Sequence, residues 1–244
     1  MYNTKPDIII LNETWLKPSI KNSELLSSNM YKIFRLDRSP DTHPVDCKNP
    51  KKFKKNGGGV LIAVNCNLDL NPRIIKINSK AEVLSIELKT PNKKKICLST
   101  CYRVGTLGDL NHSELDNHLR DIARNNKISA HFILGDFNLD TVNWENRVAS
   151  NWIHTKFLDT FNNLGLAQQI LHPTHSKGNI LDILLTDKPD LLSNIRILER
   201  NEILKSDHFA IFCSINVKVK RLKCKKRKIY NFKKANWVGC NILI

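Results

Sequence analysis

The 244-residue sequence predicts a two-sheet sandwich with helices on its outside. About ten short runs are apolar or alternate in polarity and read as strands, while only a few repeat at helical spacing. The connections are mostly of the hairpin kind, and strands and helices do not alternate regularly as a parallel βαβ fold requires.

The elements follow in chain order. Asp7–Leu11 is a short apolar run, a buried strand. Tyr31–Leu36 alternates, with Tyr31 and Ile33 on one face. Gly58–Val64 is a strand opened by glycines, and Glu82–Leu88 alternates as a half-buried strand should. Lys93–Lys95, after Pro91 and Asn92, reads as a hairpin tip leading into a strand over Ile96–Tyr102. Leu115, Leu119 and Ile122 set a helix over Ser113–Asn125. His131–Leu134 is a strand running into Gly135-Asp136-Phe137-Asn138, and Asn151–Leu164 is a helix stopped by Gly165. Leu166–Ile170, Ile180–Leu185, Ile195–Leu198 and Phe209–Val217 complete the strands.

Charge is the strongest compositional feature. Formal net charge is +16, and residues 216–244 hold ten Lys and Arg with no acid, which leaves +6 for residues 1–215. The stretch Lys218–Lys228 reads as a basic arm that meets a polyanion. A second cluster, Lys48–Lys55, falls in a long loop, where a solvated surface and a DNA path are equally good readings. The seven Cys include no C-x-x-C pair, which excludes a zinc ribbon and a disulfide scaffold and fits a reducing nuclear or cytoplasmic compartment. No early apolar run is long enough for a signal peptide or a spanning helix, so no membrane association is expected.

Four polar clusters fall at strand ends: Glu13, Asp136 with Asn138, Asp182, and Asp207 with His208. Strand ends of a sandwich gather at a rim, and carboxylates gathered there can hold a hard cation such as Mg²⁺. An Asp can orient or deprotonate an attacking water, and a His held by a carboxylate can bond a phosphoryl oxygen. Together they suit metal-assisted hydrolysis of a phosphoester. Each has a bland reading too. Glu13 could cap a helix near Trp15, Gly135-Asp136 and Ser206-Asp207 could be plain turns, and Asn138 a helix cap. Asp182 interrupts an apolar strand, where an unpaired carboxylate is costly, and resists that reading.

The ordered set Glu13-Thr14-Trp15-Leu16, Gly57-Gly58-Gly59-Val60, Tyr102-Arg103, Gly135-Asp136-Phe137-Asn138, Pro173-Thr174-His175, Leu181-Asp182 and Ser206-Asp207-His208 resembles the exonuclease–endonuclease–phosphatase superfamily. More closely it resembles the apurinic-type endonuclease domain of non-LTR (LINE-type) retrotransposons, over about residues 6–217. The resemblance implies a four-layer α/β/β/α sandwich of two mixed, largely antiparallel sheets flanked by helices. It implies Mg²⁺ as cofactor, with Mn²⁺ as the alternative, and DNA as the substrate, nicked to leave a 3′-hydroxyl primer for reverse transcription. By the same resemblance Glu13 is the metal ligand and Asp207 a second acidic residue near it. Tyr102 contacts the scissile phosphate, Asp136 orients or activates the water, Asn138 steadies both, Asp182 pairs with the catalytic His, and His208 binds the phosphate. Arg103, Thr174 and His175 are expected to face DNA.

The family pattern opens with a strand ending in an Asn and then a helix, and the twelve residues before Glu13 leave no room for either. Asn12 is not expected to substitute, because neighbouring side chains of an extended segment point opposite ways. The expectation is therefore an N-terminally incomplete catalytic domain over 1–217, weak or inactive as a nuclease. Residues 218–244, with Lys233-Lys234-Ala235-Asn236-Trp237, resemble the linker toward a reverse transcriptase domain in a parent polyprotein. Two other readings are a non-catalytic nucleic-acid-binding remnant, supported by the +16 charge, and a phosphatase or phosphodiesterase of the same superfamily.

Overall fold

In the computed structural model the described residues are 5–27, 29–42, 57–104, 108–198 and 206–222. The Lys48–Lys55 cluster and the basic arm beyond Leu222 lie outside them. The strands are β1 (Ile8–Asn12), β2 (Tyr31–Leu36), β3 (Val60–Asn65), β4 (Arg73–Ile74), β5 (Glu82–Lys89), β6 (Lys95–Tyr102), β7 (Ala130–Asp136), β8 (Val142–Asn143), β9 (Val148–Ala149), β10 (Ala167–Gln168), β11 (Asp182–Thr186), β12 (Leu192–Leu198) and β13 (Ala210–Ile215). The helices are α1 (Asn22–Leu25), α2 (Gly108–Ala123) and α3 (Trp152–Asn163).

Two sheets make the sandwich. One has six strands in the order β10-β11-β7-β6-β5-β4, and the other has three in the order β1-β3-β2. Their facing sides are apolar: Phe34, Val60, Ile62 and Val64 pack against Leu84, Ile86, Leu98 and Phe132. Each lies at alternate positions of its strand, so the period-2 pattern builds this layer. The outer face of the six-stranded sheet, with Val83, Cys97, Ile133 and Ile183, is covered by Leu115, Leu119 and Ile122 of α2 and Phe157 and Phe161 of α3. Tyr31, Leu61 and Ala63 on the other outer face meet Leu16, Leu25 and Leu26 around α1. The four-layer sandwich expected from the sequence is what the chain forms.

One connection sets the site. β5 and β6 form an antiparallel hairpin that turns at Thr90–Lys94, with Lys93 at a left-handed φ of 63°. From β6 the chain crosses through α2 and returns as β7 parallel to β6, the single parallel pairing among the described strands. β11 then runs antiparallel to β7. The registers Glu82↔Tyr102, Tyr102↔Asp136 and Asp136↔Asp182 put four polar residues in one row across four strands, at one end of the sheet.

Several expectations shift. The first long helix begins at Gly108 and ends at Ala123. Glu13 caps no helix: α1 starts only at Asn22. Asp182 opens β11 and does not interrupt it, so its carboxylate sits at the rim and not within the sheet. The folded body also extends past 217. Lys220 O accepts from Asp69 N–H at 2.9 Å, Leu222 N–H donates to Asn67 O at 2.7 Å, and Arg221 pairs with Asp7 at 2.9 Å. Val219 packs on the inter-sheet core.

β12 and β13 pair with each other and pack Leu192, Ile215 and Val217 on that same core, without joining the ladder of β1. Among the described residues β1 pairs only with β3, and β13 only with β12. Leu11 and Phe212, on these two strands, remain 47% and 41% exposed.

Candidate active site

The rim end of the six-stranded sheet gathers the polar residues. Gly135 brings β7 so close to β6 that a Cβ there would overlap the Cys101 carbonyl oxygen, which explains glycine before Asp136. After Asp136 the chain turns through Asn138 at a φ of 49°. That left-handed turn lets Asn138 hold both oxygens of Asp136: its backbone N–H donates to Oδ1 at 3.0 Å, and its Nδ2 to Oδ2 at 3.1 Å and to Arg103 O at 2.8 Å. Asp136 is buried, and burial, with the charges of Asp182 and Glu13, pushes its carboxyl up to about 7 against the pull of His208 and the Asn138 N–H.

His208 enters from the start of β13. Its Nδ1 lies 2.7 Å from Asp182 Oδ2, and its Nε2 stands 4.0 Å from Asp136 Oδ2. The bond from Asp182 raises His208 to about 9, over the opposing effect of burial and with help from Asp136 and Asp207. The imidazole is therefore a cation at neutral pH, with Nδ1–H fixed on Asp182 and Nε2–H turned toward the site. Tyr102, hydrogen-bonded to Glu13, has its phenol raised, first by burial and then by that carboxylate.

The Thr174-His175 turn stitches these strands together. Thr174 Oγ1 accepts from the N–H of Leu181 and of Asp182, each at 3.0 Å, fixing where β11 starts. His175 Nδ1 accepts from Lys177 N–H at 3.1 Å, which leaves Nε2–H to donate to Asp207 Oδ2 at 3.1 Å. That bond holds the Asp207 carboxyl below its usual range. With both ring nitrogens engaged, His175 positions Asp207 and is not free to ligate a cation, although His175, Asp207 and His208 lie close enough to suggest a metal cluster.

Glu13, Tyr102, Asp136, Asn138, Asp182, Asp207 and His208 thus meet at one rim. The three residues expected to face DNA do not. Arg103 is 1% exposed and donates to Phe137 O and Asn138 O at 3.0 and 2.9 Å; Thr174 is fully buried and His175 nearly so. Buried hydrogen-bonded side chains offer a DNA strand no surface, and the correction makes all three braces of the catalytic loops. Trp144, an aromatic residue that could stack on a base or pack, packs beside the α2–α3 core.

Other residues at the rim were missed. Arg38 and Glu82 form a buried ion pair, and Glu82 also accepts from Gly59 N–H at 2.7 Å. The guanidinium lies 5.6 Å from the Tyr102 ring centroid. Glu82 is displaced upward by burial, against the pull of Arg38 and Gly59. Gly58 O and Gly59 O accept from Trp15 N–H at 2.9 Å and Thr14 N–H at 3.1 Å, so the glycine run clasps the turn that carries Glu13. A Cβ on Gly59 would sit 2.7 Å from Thr14 Oγ1 at a φ of 85°, which is why glycine is needed there. Asn12 braces the two sheets: its Nδ2 donates to Cys101 O at 2.6 Å and its Oδ1 accepts from Thr100 Oγ1 at 2.9 Å. The only sequence signals for these were the Gly57–Gly59 run and the lone acid at the start of β5.

The donor set fits a hard cation. Glu13, Asp136 and Asp207 offer oxygen only, the donor type a hard cation takes, and burial, then Asp182, then Glu13 disfavour a bare charge on Asp136. Among the described residues no helix is long and apolar enough to cross a membrane.

The model of a family described as endonuclease-reverse transcriptase matches residues 96–212, from β6 into β13, a stretch that includes Tyr102, Asp136, Asn138, Asp182, Asp207 and His208 but not Glu13, Arg38 or Glu82. No curated protein matches the sequence significantly. Among solved structures, the 3′ phosphatase NExo from Neisseria bound to a product DNA hairpin shares 13% identity at a TM-score of 0.58, covering 87% of this chain and 90% of its own. The 3′-5′ exonuclease NExo from Neisseria meningitidis shares 14% at 0.59, covering 88% and 91%. The catalytic domain of human Nocturnin with bound sulfate shares 20% at 0.52, covering 85% and 80%.

Proposed function

We propose that this chain, a member of the exonuclease–endonuclease–phosphatase superfamily in its fold, is a Mg²⁺-dependent phosphodiesterase that nicks DNA. One observation carries the reading: a buried carboxylate held on both oxygens by Asn138 faces a cationic His208, with Glu13, Tyr102 and Asp207 around them. The attacking water gives its proton to Asp136, whose carboxyl near 7 is poised for a general base. Asn138 keeps that carboxylate from turning. His208 Nε2–H donates to a non-bridging phosphoryl oxygen, and its charge offsets the negative charge that grows there as the water oxygen bonds to phosphorus. The Tyr102 hydroxyl supports the same phosphate. The bond to the 3′ oxygen breaks, and that oxygen takes a proton from solvent, leaving a 3′-hydroxyl and a 5′-phosphate. Glu13 and Asp207 would hold the cation, Mg²⁺ or alternatively Mn²⁺, which neutralises phosphate charge when bound.

The description of the matched family pairs an endonuclease with a reverse transcriptase, and this supports a place in target-primed reverse transcription, with the folded body, which reaches Leu222, as the catalytic unit and the basic residues after it as linker.

Relaxation of supercoiled plasmid in Mg²⁺ tests the reading. Cation-dependent nicking by the wild type, absent in Asp136→Asn, is the expected result. Nicking that survives in Asp136→Asn overturns the assignment. Salt-sensitive DNA binding with no nicking at any enzyme concentration favours the second reading, a non-catalytic binding remnant, to which the open β1 edge and the +16 charge also point.

A further inference from the structure

Trp15 is the most exposed aromatic residue beside the site, at 62%. It sits two residues from Glu13, and its indole Nε1–H donates to Glu13 Oε2 at 3.1 Å. Large apolar side chains are seldom left in water where a small rotation would bury them. Here the backbone fixes the direction in which the side chain leaves the turn. Glu13 and Trp15 adopt left-handed φ values of 49° and 55°, which are unfavourable for a residue with a Cβ. The bonds to Gly58 O and Gly59 O hold the turn in that form. For a bulky residue this is a genuine outlier, and such outliers gather where a side chain must be presented in one direction.

One edge of the ring lies beside the glycine run. Its Cε2 and Cζ2 lie 3.7 and 3.8 Å from where a Cβ on Gly57 would be, and Arg38 Nη1 lies 3.5 Å from the same point. The ring is thus tethered at its N–H edge to the expected metal ligand, lies beside Gly57, and keeps most of its surface exposed.

We infer that Trp15 is a stacking platform for an unpaired nucleobase next to the scissile phosphate. This rests on the phosphodiesterase reading and narrows its substrate. Inside an intact duplex each base is covered on both faces by its neighbours, so a ring in this position finds a partner only where a base is unpaired or flipped out. The preferred DNA is single-stranded or distorted at the cleavage point. Stacking of this kind is tolerant of sequence, because every base offers a π-face.

The test is equilibrium binding without hydrolysis, in Ca²⁺, of three fluorescent probes: a single strand, a duplex with one unpaired base, and the same duplex with an abasic site in its place. Wild type, Trp15→Ala and Trp15→Phe are compared, with thermal unfolding confirming each fold. The expected result is a roughly tenfold or greater loss for Trp15→Ala on the first two probes and no loss on the abasic duplex. Trp15→Phe, which keeps a ring and loses the N–H, should bind within a few-fold of wild type. Equal binding by Trp15→Ala on all probes overturns the platform and leaves the phosphodiesterase reading standing. So does an equal loss on the abasic duplex, which would make the ring a support for Glu13. If the wild type binds none of the probes, the nucleic-acid reading itself falls.

Discussion

An Asp182→Asn substitution keeps the shape of its side chain and removes the charge that holds His208 protonated. The bond is short, 2.7 Å between Nδ1 and Oδ2, and it is the largest cause of a His208 raised to about 9. Without the carboxylate, burial lowers the ring and only Asp136 and Asp207 still raise it. An imidazole returned to its ordinary value near 6.5 has dropped by roughly 2.5 pH units, about 3 kcal/mol of lost preference for the cation. At pH 7.5 the protonated share falls from nearly all molecules to about a tenth. The sign of the stability effect follows. A group raised on folding stabilises the fold fully below its unfolded value near 6.5, and that stabilisation is lost as pH rises through about 9. The wild type should therefore lose stability between those values, and the variant should show little of that slope. Imidazole ¹H–¹⁵N NMR reads the titration directly, and denaturant unfolding at several pH values reads the linkage. A His208 that titrates near 9 in Asp182→Asn, or near 6.5 in the wild type, would refute the reasoning.

Three other changes probe different parts of the structure. His175→Ala frees Asp207, so Mn²⁺ affinity, measured by electron paramagnetic resonance, should fall roughly 10- to 100-fold, with partial recovery in His175→Gln. Gly135→Ala places a methyl against the Cys101 carbonyl and should unfold the domain or displace β7, seen as lost near-ultraviolet circular dichroism. Phe157→Ala empties a fully buried position under α2 and α3, where the ring also backs Arg103, and should cost about 3–5 kcal/mol in urea unfolding.

The residues that were legible in the sequence announce themselves locally. The strand-then-turn of Gly135-Asp136-Phe137-Asn138 needs only its own neighbours to be read, and α3 is framed by Asn151, which accepts from Ile153 N–H at 2.8 Å, and by Gly165. The row Tyr102–Asp136–Asp182 was not legible, because it depends on the register of a parallel crossover that no local pattern encodes. Arg38 and Glu82 lie 44 positions apart, and each alone reads as solvated charge; only the fold shows them buried together. Arg103 and His175 were misjudged for a related reason. A polar residue beside a catalytic motif can face the substrate or brace the motif, and its hydrogen bonds decide which.

The edges of β1 and β13, unshared among the described residues, give the domain a thermodynamic property that its chemistry does not require. A strand edge flanked by half-exposed apolar residues such as Leu11 and Phe212 is open to whatever extended chain reaches it. Binding to the native state alone stabilises it by mass action. The melting temperature of this domain is then no fixed constant of its sequence: it rises with the concentration of any chain that occupies the edge, copies of itself included.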